Sequence, residues 1–81
     1  MQHKEKELND IYIIIAKNIK KYREDKKMTQ KELALKSGYS YAYIRRVEAP
    51  KCIKNFSIQT IYNLSKSLDI DIKYLFEDND I

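Results

Sequence analysis

A recurring signal for the start of a helix constrains this chain more than any other feature of its sequence. Four times after residue 27, a small polar residue able to cap a helix follows an apolar residue and precedes an apolar residue at the fourth helical position. These four pairs are Thr29 with Leu33, Ser40 with Ile44, Ser57 with Ile61, and Asp71 with Leu75. Glu32 completes a capping box with Thr29, because each side chain can accept a hydrogen bond from the other residue's backbone N–H.

These four starts predict helices over residues 30–37, 41–48, 58–68 and 72–76. A fifth helix, the first in the chain, is predicted over residues 9 or 10 to 25, where Ile15, Ile19 and Tyr22 fall on one face. One glycine and one proline in 81 residues are too few to supply the turns of a mainly β-stranded fold. The stretch GYSYAYIRR alternates tyrosines with other residues like a strand, but it crosses a predicted turn and a helix start. Residues 1–12 are expected to be an N-terminal extension, partly disordered or extending the first helix. Residues 13–76 form one domain, and residues 77–81 are an acidic tail.

The charge is distributed unevenly along the chain. Residues 28–56 carry six Lys and Arg against two Asp and Glu, whereas residues 57–81 carry two against five. This asymmetry favours a polyanionic partner that meets one region of the protein. A cytoplasmic protein is expected, since the sequence shows neither a signal peptide nor a membrane-spanning run. With one cysteine, one histidine and no nucleophile–base pair, neither an enzyme nor a metal or cofactor site is predicted.

The helices predicted at 30–37 and 41–48 are linked by only Gly38, Tyr39 and Ser40, which predicts a helix-turn-helix. Gly38 is the only glycine, and it stands where the end of the first helix needs a residue that tolerates positive φ. Ala34 is expected at the close crossing of the two helices. Tyr39 is expected to pack inward onto Ile44 of the helix that follows it. The remaining internal contacts are assigned to Leu33, Ile44 and Val47.

The segment TQKELALKSGYSYAYIRRVE resembles the DNA-binding core of the Cro/phage-repressor type, also called the XRE family. The likeness continues through NIKKYRE before it and SIQTIYNLSKSLDIDIKYLF after it, so it covers roughly residues 13–76. Five residues carry it in register, namely Gln30, Ala34, Gly38, Ile44 and Glu48. The resemblance implies an all-α, five-helix, lambda-repressor-like DNA-binding domain whose second and third helices form the helix-turn-helix.

The resemblance also implies roles for particular residues. Gln30 and the start of its helix would contact a DNA phosphate, and Arg23 would form a structural salt bridge with Glu48. The chain departs from the family in the segment EAPKCIKNFS, which lacks the usual glycine after the glutamate and is about two residues longer. Leu35 stands where the family usually has a polar residue.

The third helix is predicted to enter the DNA major groove. On a helical wheel, Ile44 and Val47 face the core, and the opposite arc presents the predicted base contacts Tyr41, Ala42, Arg45 and Arg46. Arginine can bond guanine in a bidentate manner, and alanine can pack on a thymine methyl group. Besides Gln30, the predicted contacts to the DNA backbone are Ser40, Tyr43, Lys36, Lys51, Lys54 and Asn55.

The sequence thus predicts a transcriptional regulator, as a rule a repressor, that binds an inverted repeat of double-stranded DNA as a homodimer. Its dimer interface is assigned to Ile72, Leu75 and Phe76, with the apolar run at residues 11–14 as the second choice. Two alternatives remain open. One is a protein-interaction module, such as an antitoxin or controller protein, that uses Tyr41 and Leu35. The other, single-stranded RNA binding, ranks last because the wheel places the tyrosines on different faces.

Overall fold

The structure, a computed structural model, describes residues 4–49 and 56–78, with side chains from residue 9 onward. In these ranges the chain is helical and contains no strand. The α-helices are α1 (Lys4–Asp25), α2 (Gln30–Ser37), α3 (Tyr41–Glu48) and α4 (Ile58–Ser67), and they are followed by a 3₁₀ helix, η1 (Ile72–Phe76). None of these helices combines the length and apolar character that crossing a lipid bilayer requires.

The predicted caps form as the sequence indicates. Thr29 and Glu32 make the complete capping box, with Thr29 Oγ1 accepting from the Glu32 N–H at 3.0 Å and Glu32 Oε1 accepting from the Thr29 N–H at 2.8 Å. Ser40 and Ser57 cap α3 and α4 through side-chain oxygens that accept from the backbone three residues later. These bonds satisfy amides that would otherwise lack partners in the first helical turn.

Two predicted helix boundaries and one predicted helix type are corrected. The first helix begins at Lys4, so it takes in most of the expected N-terminal extension, and α4 ends at Ser67, one residue early. The predicted fifth helix is a 3₁₀ helix, capped by Asp71, whose side chain accepts from the Lys73 N–H. The Tyr74 N–H donates to the Asp71 oxygen, three residues earlier, at 3.0 Å, and short helical pieces often take this tighter form.

One apolar core joins all five elements. Its fully buried members are Ile15, Ile19, Leu33, Ile44, Leu64, Leu68 and Leu75. Asn18 on α1 adds two hydrogen bonds to these contacts. Its Nδ2 donates to the backbone oxygens of Leu75 at 2.8 Å and Glu77 at 2.7 Å. Buried carbonyl groups need such partners, so Asn18 holds η1 and the residue after it against α1.

The turn between α2 and α3 depends on Gly38. Its φ is +82°, a left-handed conformation, and its N–H donates to the Ala34 oxygen at 2.9 Å. An added Cβ would meet no atom within 4 Å. The requirement for glycine is therefore set by the backbone conformation and not by crowding.

Replacing Gly38 separates these two effects. Gly38→Ala should lower the free energy of unfolding by about 1 kcal/mol, because an L-residue with a Cβ is strained in the left-handed region. Gly38→Asn should cost less, since asparagine tolerates this conformation. Urea unfolding of both variants would measure the difference, and equal losses would contradict this account of the turn.

Candidate nucleic-acid interface

A buried ion pair ties the two ends of the helix-turn-helix to α1. Arg23 Nε lies 2.7 Å from Glu48 Oε2, and Arg23 Nη2 donates to Glu48 Oε1 at 2.9 Å, a bidentate arrangement. The predicted pairing of Arg23 with Glu48 is thus present in the structure. Their side chains are only 9% and 3% exposed, so the pair is far more buried than a surface salt bridge. Its hydrogen bond to Glu48 raises the pKa of Arg23, although burial acts in the opposite direction.

Two further bonds extend this pair to the start of α2. Arg23 Nη1 donates to the Met28 oxygen at 2.7 Å, and Gln30 Nε2 donates to Glu48 Oε1 at 3.0 Å. Gln30 is half-buried, and its amide nitrogen is bonded within the protein. Its predicted contact with a DNA phosphate stays a prediction, and in this geometry one of the two N–H groups of the amide donates to Glu48.

The outer arc of α3 is open to solvent, as the wheel predicts. All four predicted base-contact residues, Tyr41, Ala42, Arg45 and Arg46, are exposed. Ile44 and Val47 are buried on the opposite side, 0% and 2% exposed. The helix thus has its apolar side buried in the core and its two arginines on the exposed side. Their contacts with DNA stay predictions.

The three tyrosines around the turn have different surroundings. Tyr39 is half-buried against the core, and its hydroxyl accepts from Asn63 Nδ2 at 3.0 Å and bonds Thr60 Oγ1 at 3.4 Å. Tyr43 is also half-buried, with its ring centroid 5.0 Å from that of Tyr39. Tyr41 is 42% exposed. Tyr39 therefore joins the turn to α4, an attachment that the sequence did not reveal because its partners lie more than 20 residues away.

Other predicted backbone contacts fall into two groups. Ser40 and Lys36 are exposed beside the helix-turn-helix. Lys51, Lys54 and Asn55 lie outside the described residues.

One cation near this surface was not predicted from the sequence. It is Lys31 in the first turn of α2, whose Nζ lies 5.4 Å from the centre of the Tyr41 ring.

The predicted dimer interface needs a correction. Leu75 is 0% exposed and belongs to the core, so it cannot contact a partner. It lies on the inward side of η1. Ile72 is half-buried and Phe76 is 41% exposed. Nearby, residues of α1 and the chain after η1 line a groove of about 530 Å³, which includes Ile13, Ile14, Glu77 and Asp78.

Comparison with protein families identifies one that matches this chain. A family model described as helix-turn-helix, of the Cro/C1 type, matches residues 19–75. No curated protein matches the chain.

Two of the solved structures that are similar to the chain illustrate the likeness. The hypothetical transcription factor NHTF from Neisseria aligns with a TM-score of 0.78 and 23% sequence identity, covering 85% of this chain and 77% of that one. At this identity the likeness concerns the fold alone. A restriction-modification controller protein from Aeromonas hydrophila aligns with a TM-score of 0.72 and 29% identity, covering 80% of this chain and 96% of its own.

The buried pair makes a sharp stability prediction. Glu48→Gln removes the buried counter-charge of Arg23, leaving only the exposed carboxylate of Glu24 4.0 Å away, and should lower the free energy of unfolding by about 3 kcal/mol. Glu24→Gln is the matched control, because Glu24 lies 4.0 Å from the same arginine but is 58% exposed. Its effect should stay under about 0.5 kcal/mol. Chemical denaturation measures both, and similar losses in the two variants would contradict the role assigned to burial.

Proposed function

Because this chain belongs to the Cro/C1-type, or XRE, helix-turn-helix family, we propose that it is a cytoplasmic, sequence-specific transcriptional repressor. In this proposal it binds an inverted-repeat operator as a homodimer. The observation that carries the proposal is the exposed arc of α3, where Arg45 and Arg46 project from a helix fixed by buried Ile44 and Val47. A small helix with its apolar side anchored in the core and its basic side open suits the major groove.

The residues of this arc are proposed to read base edges. Arg45 and Arg46 suit guanine, with each good bidentate contact supplying about 1–3 kcal/mol of discrimination. Ala42 is small enough to approach a thymine methyl group, and Tyr41 stands at the start of the helix. Contacts to the DNA backbone are proposed for Gln30, Ser40, Tyr43 and Lys36, together with Lys51, Lys54 and Asn55.

Dimerisation is proposed from the size of the module. A single domain of this size buries too little surface for the affinity of a specific operator, and two copies would read half-sites about 34 Å apart. The exposed ring of Phe76 with half-buried Ile72 is the first candidate surface. The second is the α1 segment at residues 11–14, where Ile11 is 44% exposed.

A second candidate function rests on Leu35. This side chain is 84% exposed on α2, beside a shallow apolar groove that Tyr41 and Tyr39 also line. An exposed leucine next to an exposed tyrosine suits contact with a protein. In this alternative, partner binding is primary, as in an antitoxin or a controller protein, and DNA binding is secondary.

Selection from a random duplex pool should enrich an inverted repeat with half-sites about one helical turn apart. Arg46→Ala should lower affinity for the selected duplex about tenfold and relax the preference at one position in each half-site. Lys66→Ala, which removes the same charge from α4, is the control and should keep the preference. Equal binding of random and selected duplexes would contradict sequence-specific recognition and favour the interaction module.

Sedimentation equilibrium at micromolar concentration should show a dimer, and Phe76→Glu should shift it to monomer because a carboxylate would have to be buried at the interface. Ile11→Glu tests the second surface. Ile58→Glu is the matched control, since Ile58 is 65% exposed on α4 and lies outside both candidate surfaces. A wild-type protein that stays monomeric with and without the selected duplex would contradict dimerisation.

A further inference from the structure

Two cations from different helices converge on the exposed ring of Tyr41. Lys31 Nζ, from the first turn of α2, lies 5.4 Å from the ring centre, and Arg45 Cζ, one turn along α3, lies 5.6 Å from it. Both distances are within the range at which a cation is attracted to the electron-rich face of an aromatic ring. Tyr41 is thus the shared neighbour of one charge from each helix of the motif.

Within the described residues, neither of these two charges has a carboxylate partner, as Lys21 and Arg23 on α1 do. Lys21 lies 4.0 Å from Asp25, and Arg23 is paired with Glu48. Within the described part of the chain, by contrast, no carboxylate lies within 4.0 Å of Lys31 or Arg45. Two like charges gathered at one ring without a counter-ion repel each other, so the arrangement suits an anion supplied from outside.

We propose that Lys31, Tyr41 and Arg45 act as one unit in which the tyrosine ring positions both cations for DNA, with Lys31 binding a backbone phosphate. The proposal rests on the function proposed above and deepens it. It adds Lys31 to the interface, and it gives Tyr41, proposed above as one of the base contacts, the role of a positioning residue. The ring, not the hydroxyl, does this work.

The placement of Lys31 supports a contact to the DNA backbone. It follows Gln30 at the start of α2, whereas the predicted base contacts all lie on α3. Phosphate contacts position a protein on the duplex, and base contacts specify the sequence. One cation on α2 and one on α3 share the Tyr41 ring. A phosphate contact by Lys31 would therefore help to set the position of Arg45 relative to the bases.

Holding these side chains in place also favours binding. Lysine and arginine have many rotamers, and ordering them on association weakens affinity. A ring that already restrains both in the unbound protein lowers that cost. Loss of the ring should then weaken DNA binding even though no hydrogen bond to DNA is removed.

The test compares two substitutions of Tyr41 on the duplex enriched from the random pool. Tyr41→Phe keeps the ring and should keep affinity within about twofold, because the attraction arises from the aromatic face. Tyr41→Leu keeps an apolar side chain without that face and should weaken binding about fivefold or more. Both variants should unfold at the same urea concentration as the wild type, since Tyr41 lies outside the core.

Lys31→Ala supplies the second measurement. It should lower the slope of log affinity against log salt by about one, the change expected for one lost phosphate contact. In the Tyr41→Leu background its effect should shrink, because residues that act as a unit are not additive. Lys66→Ala is the matched control, since Lys66 lies 6.0 Å from the Tyr62 ring on α4. It should leave the slope nearly unchanged.

The outcomes separate this inference from the proposed function. If the wild-type protein enriches no sequence, the proposed function fails and the inference falls with it. If the protein enriches a sequence but Tyr41→Phe is as damaging as Tyr41→Leu, the hydroxyl contacts DNA and this inference alone is overturned. A salt slope that Lys31→Ala changes no more than Lys66→Ala does would also overturn it.

Discussion

The ion pair between Arg23 and Glu48 is the constraint on which the geometry of this protein depends. It joins the C-terminal end of α1 to the C-terminal end of α3, and through Met28 and Gln30 it also reaches the start of α2. Burying two charges is costly unless every bond is satisfied, and here the bidentate contact and the additional donors meet that condition. The orientation of α3 relative to the rest of the domain is therefore specified by a network that tolerates little displacement.

The turn of the helix-turn-helix is held by different means. Gly38 allows the chain to reverse, Ser40 caps α3, and the hydroxyl of Tyr39 bonds side chains of α4. Helix α3 is thus fixed at its start through the turn and at its end through Glu48. Fixing both ends is what allows its outward side chains to keep a defined position without a partner.

The exposed surfaces divide between two kinds of contact. The outer arc of α3 with Lys31 is basic and aromatic, as a nucleic-acid interface requires. Exposed apolar side chains lie beside this surface at Leu35 on α2, and on other elements at Ile58 on α4 and Phe76 on η1. In the proposed dimer, the first surface would meet DNA while an apolar surface would meet the second copy.

Local features of this protein follow from its sequence because their causes lie within a few residues along the chain. The capping box at Thr29, the left-handed turn at Gly38 and the inward face of α3 each depend on spacings of one helical turn or less. The pairing of Arg23 with Glu48 followed from the family resemblance and not from spacing. Its near-complete burial did not follow from either.

Tertiary packing alone decided the contacts that join distant segments. The hydrogen bond from Asn18 to the η1 backbone joins residues 57 positions apart in the chain, and the bonds of Tyr39 to α4 join residues more than 20 positions apart. Packing also placed Leu75 in the core, although its apolar character alone would equally suit a partner surface. The convergence of Lys31 and Arg45 on Tyr41 arises only when α2 crosses α3. Such contacts depend on how the helices cross, and the periodicity of apolar residues within one helix does not specify which other helices it will contact.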